Sequence, residues 1–296
     1  MRIHAIQTGT VAVKQSQIQG SRGTGPIRLL TTMLDPNWSD PLPIYAWVVE
    51  HPEGVIVVDT GETARTSESG YLPWWHPYFK LGMKAFVKPE EEIGPQLRAL
   101  GISQEAVRWL IMTHLHTDHA GGLYHFPDSE ILVSRTEYDL AAGFQGQLRG
   151  YLSNHWPSWF NPTLVDFKPE AIGPFSESFT LTKAGDVHLV PTPGHTAGHL
   201  SVIVEVGETT YFLAGDTSYT EQLMLAQVID GVSQDIQVAR QTLERILQYV
   251  QSTPTIYLPS HDPDSVTRLV HRTIVAPHYH PQLRYTEYIE QTEPVN

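Results

Sequence analysis

Thr113-His114-Leu115-His116-Thr117-Asp118-His119-Ala120-Gly121-Gly122 follows directly on the apolar run Trp109-Leu110-Ile111-Met112. Three imidazoles and one carboxylate crowd into the six residues from His114 to His119, a donor set suited to zinc and its first-row neighbours. In an extended strand end, residues i and i+2 point the same way, so His114 and His116 can share one ion. Asp118 and His119 come after the turn and face a different direction. The spacing favours two ions side by side over one. It also argues against a plainer His-rich surface loop, or histidines that merely hydrogen-bond in a core.

The same grammar, an apolar strand followed by a ligand-type residue in a Gly/Pro-rich turn, recurs three times. Val187-His188-Leu189-Val190 breaks at Pro191-Thr192-Pro193-Gly194-His195-Thr196-Ala197-Gly198-His199. Residues 210–214 run into Gly215-Asp216-Thr217-Ser218-Tyr219, and Thr255-Ile256-Tyr257-Leu258 ends at Pro259-Ser260-His261-Asp262. Loops at one rim of a rigid sheet are where sites are usually assembled. A further strand, Val55-Ile56-Val57-Val58, stops at Asp59-Thr60-Gly61, where the carboxylate is either a turn-former or a site residue.

Around these points the chain reads as alternating strands and helices. Residues 3–13 form a first strand, and 44–49 with 55–58 form a hairpin about His51-Pro52-Glu53-Gly54. Residues 15–25 and 35–43 have the Gly and Pro density of loop. Helical spacing appears over 89–100, a helix begins near 136–142, and 235–251 is the clearest amphipathic helix. Residues 143–162 read as a surface loop with some aromatic burial. Residues 62–88 are too irregular for a strand and too broken for one long helix. Tyr71, Trp74, Trp75, His76, Tyr78, Phe79 and Phe86 crowd there, either as a satellite core or as the wall of a substrate pocket made by Trp74, Trp75, Tyr78 and Phe79. The tail from Thr273 is polar, and its His278 and His280 read as surface residues. With no linker and no internal repeat, residues 1–296 are expected to form a single α/β domain carrying an aromatic-rich insertion at about 62–88.

The bulk numbers narrow the function classes. The net charge of −13, with no Lys/Arg block, disfavours a nucleic-acid partner, which needs a basic footprint. The chain has no cysteine, which excludes disulfides, thiolate metal sites and Cys nucleophiles. The first residues are too polar for a signal peptide and no run approaches membrane-spanning length, so the expectation is a cytoplasmic protein without a membrane partner.

The combined pattern resembles the metallo-β-lactamase superfamily nearly end to end. Its His-x-His-x-Asp-His signature stands at His114, His116, Asp118 and His119, its Pro-Gly-His-Thr-x-Gly-His turn at residues 193–199, and its Gly-Asp at Gly215-Asp216. The resemblance implies an αββα sandwich of two mixed β-sheets flanked by helices. It also implies two divalent ions, zinc first with iron, manganese or cobalt as alternatives. One would be held by His114, His116 and His195, the other by Asp118, His119 and His261, with Asp216 bridging and Asp59 supporting from behind. Such a pair of ions would stabilise a bridging hydroxide as nucleophile and polarise a substrate carbonyl.

Within the superfamily the chain is most similar to the N-acyl-homoserine lactonases, the quorum-quenching enzymes. Leu42-Pro43-Ile44-Tyr45, Asp216-Thr217-Ser218-Tyr219-Thr220 and the His-Leu-His-x-Asp-His-Ala-Gly-Gly run carry that likeness. It implies that Tyr219 hydrogen-bonds the lactone carbonyl and that Asp118 passes a proton to the departing alkoxide. A small lactone or ester would be the substrate, and a homodimer is one assembly open to such a chain. Thr117 departs from the pattern, standing where many of these lactonases carry an aromatic. Hydrolysis of another lactone, ester, thioester or organophosphate stays open, as does a non-catalytic metal-binding regulator.

Overall fold

The computed structural model describes residues 1–276, so His278 and His280 lie outside the described residues. The strands are β1 (Arg2–Val13), β2 (Leu42–His51), β3 (Gly54–Val58), β4 (Met83–Phe86), β5 (Val107–Ile111), β6 (Glu130–Ser134), β7 (Thr163–Val165), β8 (Phe179–Thr180), β9 (Val187–Pro191), β10 (Leu200–Val206), β11 (Thr209–Gly215) and β12 (Thr255–Pro259). The helices are α1 (Gln15–Gln19), α2 (Gly25–Met33), α3 (Pro77–Leu81), α4 (Ile93–Ala99), α5 (Thr117–Ala120), α6 (Arg135–Ala141), α7 (Gly143–Leu148), α8 (Glu221–Leu225), α9 (Ile236–Ser252) and α10 (Ser265–His271).

The strands form two mixed sheets, ordered β4-β1-β2-β3-β5-β6-β7 and β12-β11-β10-β9-β8. The period-2 alternation of β2 explains why they face each other. Tyr45, Trp47 and Val49 point into a core shared with Val187, Leu189, Leu200, Val202, Val204, Leu213 and Leu258 of the second sheet. Ala46 and Val48, one residue out of phase, point the other way onto Ile93 and Leu97 of α4. On the far side, Val190, Ile203, Phe212 and Tyr257 meet Leu243, Ile246 and Val250 of α9. The layers therefore run helix, sheet, sheet, helix, as the resemblance implies. Helix α9 starts where the Asp235 carboxylate accepts from the backbone N–H groups of Gln237 and Val238.

Three segments differ from their sequence reading, the first being the loop expected at 15–25, whose opening residues form α1. The aromatic stretch at 62–88 ends in a strand, β4, which pairs antiparallel with β1 at the edge of the first sheet. Its irregular composition hides four residues whose strand character comes from a neighbour rather than from alternation. The loop expected at 143–162 holds α7, while the aromatic burial expected there is met by Tyr151, which is completely buried.

Candidate metal centre

The motif residues leave β5 and fall beyond the strand end at Ile111, with Asp118 and His119 on the single turn of α5. His195 follows β9, Asp216 follows β11 and His261 follows β12. All these ends lie at one rim of the sandwich, and their side chains converge. His114 Nε2 and His116 Nδ1 are 3.0 Å apart, and His116 Nδ1 and His195 Nε2 are 3.1 Å apart. Four-coordinate zinc with nitrogen ligands separates them by about 3.4 Å, so the cluster has the dimensions of a tetrahedral site. Asp118, His119 and His261 form a second cluster, with His261 Nε2 3.4 Å from Asp118 Oδ2. Asp216 stands between them: its Oδ2 is 3.5 Å from His195 Nε2, while its Oδ1 is 3.2 Å from His119 Nε2 and 3.4 Å from His261 Nε2. His114, His119 and Asp216 are also close enough to form a third combination.

The outward ring nitrogens define which lone pairs face the centre. His261 Nδ1 lies 2.9 Å from the Pro43 carbonyl oxygen, which can only accept, so Nδ1 carries the proton and Nε2 faces inward. His119 Nδ1 donates to Asp59 Oδ2 at 2.8 Å. Asp59 also accepts from the backbone N–H and the hydroxyl of Thr113, both at 2.8 Å. Because Thr113 Oγ1 donates there, it accepts from His114 Nδ1, 3.1 Å away. His195 Nδ1 faces Asp230 Oδ2 at 3.4 Å, and His116 packs its ring on Tyr151 with centroids 5.1 Å apart.

This arrangement calls for positive charge. Burial alone pushes imidazoles down, and His116 is lowered to about 3. His261 is nevertheless raised to about 10, because Asp216 and Asp118 outweigh its burial. His119 is likewise raised by Asp216, Asp59 and Asp118 against its burial. Buried His119 Nε2 and Asp216 Oδ1 have no hydrogen-bond partner. Unpaired lone pairs, imidazole and carboxylate donors, and an excess of buried carboxylate fit divalent cations.

Several residues to which the sequence reading gave no role hold this centre in place, some of them inside the quoted motifs. Asp230 accepts from Val232 N, Ser233 N and Ser233 Oγ besides facing His195. His199 Nε2 accepts from Asp216 N at 3.0 Å and its Nδ1 donates to Thr192 Oγ1 at 2.9 Å. Gly215, at φ +57, must lack a side chain, since a Cβ would sit 2.5 Å from that same Nε2. Glu137 of α6 accepts from Leu115 N at 3.0 Å and Thr196 Oγ1 at 2.7 Å, tying the two ligand loops together. The available signal was a charged residue inside a largely apolar setting, as in Val228-Ile229-Asp230.

A cavity of about 630 Å³ opens over the centre. His116, Asp118, His195, Asp216 and His261 line one part, and Val11, Val13, Leu29, Met33, Phe79 and Met83 line an apolar part. Tyr219 lines it too, stacked on His261 with centroids 5.7 Å apart. Burial holds its phenol well above the usual range, so the hydroxyl keeps its proton. Tyr78 and Phe79 are in the lining, whereas Trp74 and Trp75 are not. Those two are 84% and 42% exposed, which corrects the expectation of a pocket wall made from all four. The chain turns at Pro73, where His76 N donates to its carbonyl at 3.0 Å, and brings His76, Tyr78 and Phe79 to the cavity beyond that turn.

A model of the metallo-β-lactamase superfamily matches residues 39–261, which include every residue of the two clusters. The chain belongs to this superfamily. Its relatives include the N-acyl homoserine lactonase AttM of Agrobacterium fabrum, 23% identical over 278 residues, covering 90% of this chain and 94% of that one. The N-acyl homoserine lactonase AiiA of Bacillus thuringiensis subsp. kurstaki is 28% identical over 224 residues, covering 75% and 82%. Among solved structures, an N-acyl homoserine lactone hydrolase with N-hexanoyl-L-homoserine at its catalytic metal centre superposes with a TM-score of 0.71 at 22% identity, covering 94% of this chain and 98% of that one. AidC, a dizinc quorum-quenching lactonase, superposes at 0.59 with 17% identity, covering 88% and 87%. For this superfamily member, those two likenesses establish the fold.

Proposed function

We propose that the chain is a metal-dependent hydrolase that opens the lactone ring of N-acyl-homoserine lactones. The observation that carries this is the placement of Tyr219 on the wall of a partly apolar cavity whose other wall is the His/Asp centre. The names of the curated relatives support the same substrate class.

His114, His116 and His195 would hold one divalent ion and Asp118, His119 and His261 another, with Asp216 shared. Such ions, zinc first, supply an activated water at neutral pH and Lewis-acid polarisation when bound. The protein's own groups do the rest. The Tyr219 hydroxyl donates to the ring carbonyl and holds the charge that develops on its oxygen. Asp118, a carboxylate lowered to about 2 by His119 and His261 against its burial, is ionised and faces the cavity. It takes the proton of the attacking water and returns it to the alkoxide oxygen as the ring opens. The apolar lining receives the acyl chain and keeps bulk water from it.

The test is direct. The metal-loaded protein is offered a panel of lactones, thioesters and phosphoesters, with proton release followed by a pH indicator. Ring opening of acyl-homoserine lactones with one proton per turnover is expected. Turnover confined to thioesters or phosphoesters would replace this reading.

A further inference from the structure

One contact in the cavity is unused by the metal centre. Gln17 of α1 is 2% exposed, and its backbone carbonyl accepts from Gly231 N at 2.7 Å, pinning α1 beside the centre. Its side-chain nitrogen donates to Tyr219 Oη at 2.8 Å and to Tyr78 Oη at 2.9 Å. A primary amide has two N–H groups, and here both are committed to phenols. Each phenol oxygen therefore accepts, and each phenol keeps its own proton to donate elsewhere. The reversed amide, carbonyl toward the phenols, would consume both protons. The orientation seen leaves Gln17 Oε1 buried without a partner, a cost that folding must bear.

The three side chains all line the cavity. Because both phenol oxygens lie within hydrogen-bond reach of one nitrogen, they are no more than about 6 Å apart. A single ring ester presents one carbonyl oxygen to such a pair. An N-acylamino lactone presents two, joined through one carbon and one nitrogen, with oxygens roughly 3–6 Å apart by ordinary bond lengths.

We propose that Gln17 is a positioning residue that sets Tyr219 and Tyr78 as paired O–H donors, Tyr219 for the ring carbonyl and Tyr78 for the acyl-amide carbonyl of an N-acylamino lactone. This rests on the lactonase reading above and adds what selects the acylamino group. Tyr78 grips a part of the substrate that does not react, so its contribution falls on binding; Tyr219 grips the reacting carbonyl, so its contribution falls on turnover.

The experiment compares metal-loaded wild type, Y78F, Y219F and Q17E on two substrates: N-hexanoyl-homoserine lactone, and a γ-lactone bearing an alkyl chain of matching length without the amide. Metal content and Tm of each variant establish that it is folded and loaded, and Q17M replaces Q17E if the buried charge prevents folding. Y78F is expected to lower the ratio of kcat/KM for the acylamino lactone over the alkyl lactone about tenfold, chiefly through KM. Y219F lowers kcat for both alike. Q17E, whose carboxylate accepts both phenol protons, lowers the ratio and kcat together; Q17M, which no longer orients them, does so to a smaller extent. If Y78F leaves the ratio unchanged, the second-carbonyl assignment is overturned. If the Gln17 variants leave both quantities unchanged, the positioning role is overturned. A wild type that opens only the alkyl lactone overturns the acylamino assignment while leaving a lactonase, and one that opens neither overturns the lactonase reading and this proposal with it.

Discussion

Asp59 and His119 are both fully buried, and the Asp59 carboxylate holds the His119 Nδ1 proton at 2.8 Å. Asp59 does so from a backbone with φ +61, a conformation that Asp and Asn adopt more readily than other side chains. Asp59→Asn therefore keeps the backbone and the volume while losing the charge and one acceptor. Metal affinity at the cluster containing His119 is expected to fall 10–100-fold, measured by competition with a chromogenic chelator. Unchanged affinity would make Asp59 a turn-former only.

Removing the ions tests the centre as a whole. Elemental analysis of the loaded protein is expected to give about two transition-metal ions per chain. Dialysis against a chelator is expected to abolish turnover and lower Tm, because bound ions stabilise only the folded chain. A protein that stays metal-free after reconstitution removes the basis for the mechanism.

Tyr219→Phe deletes one hydroxyl and nothing else. Its effect on kcat for acyl-homoserine lactones is expected to be roughly 1–3 kcal/mol in the barrier, the size of one donor to a developing oxyanion. A variant with unaltered kcat would return Tyr219 to packing against His261.

Glu62 gives a prediction about pH and stability. Burial, together with the Asp118 charge, raises this carboxyl from 4.5 to about 8, against hydrogen bonds from Thr117 and Thr63. A raised pKa means that the folded state holds its proton more tightly than the unfolded chain does. The stability this contributes is complete below about pH 4.5 and is lost as pH rises to about 8, where the folded protein ionises as well. Glu62→Gln, which cannot ionise, is expected to gain on the wild type by as much as ~4 kcal/mol between pH 5 and pH 8.5 in urea unfolding of the metal-free protein, in which Asp118 keeps its charge. Parallel pH profiles for the two proteins would show that Glu62 is already ionised in the fold.

What could be read from the sequence was what lies in short, dense runs. The residues of the two clusters sit in a compact motif or at the end of an apolar strand, so strand grammar located His195, Asp216 and His261 without any knowledge of their neighbours. The sheets followed for the same reason: β2, β3, β10, β11 and β12 are continuous apolar runs bounded by turns. Tyr78 stands in the aromatic run and was legible as a pocket residue, but Gln17 carries no such mark, because it meets Tyr78 and Tyr219 across 61 and 202 residues. Asp230 and Glu137 escaped, and His199 stood in the quoted turn without a role, because supporting a ligand needs only a donor or acceptor at the right place in space, not a spacing. Trp74 and Trp75 fit neither alternative, satellite core or pocket wall, because aromatic density says nothing of direction and a turn at Pro73 leaves both partly or largely in solvent.

His114 and His116 come from the end of the first sheet, while His195, Asp216 and His261 come from ends of the second. Each cluster is thus drawn from both sheets, and His261 is further tied to Pro43 at the start of β2. Ions in these clusters would rivet the sandwich shut at one rim. Prying the sheets apart would then require breaking metal–ligand bonds as well as packing, so the loaded protein is expected to unfold more slowly in urea than the stripped one.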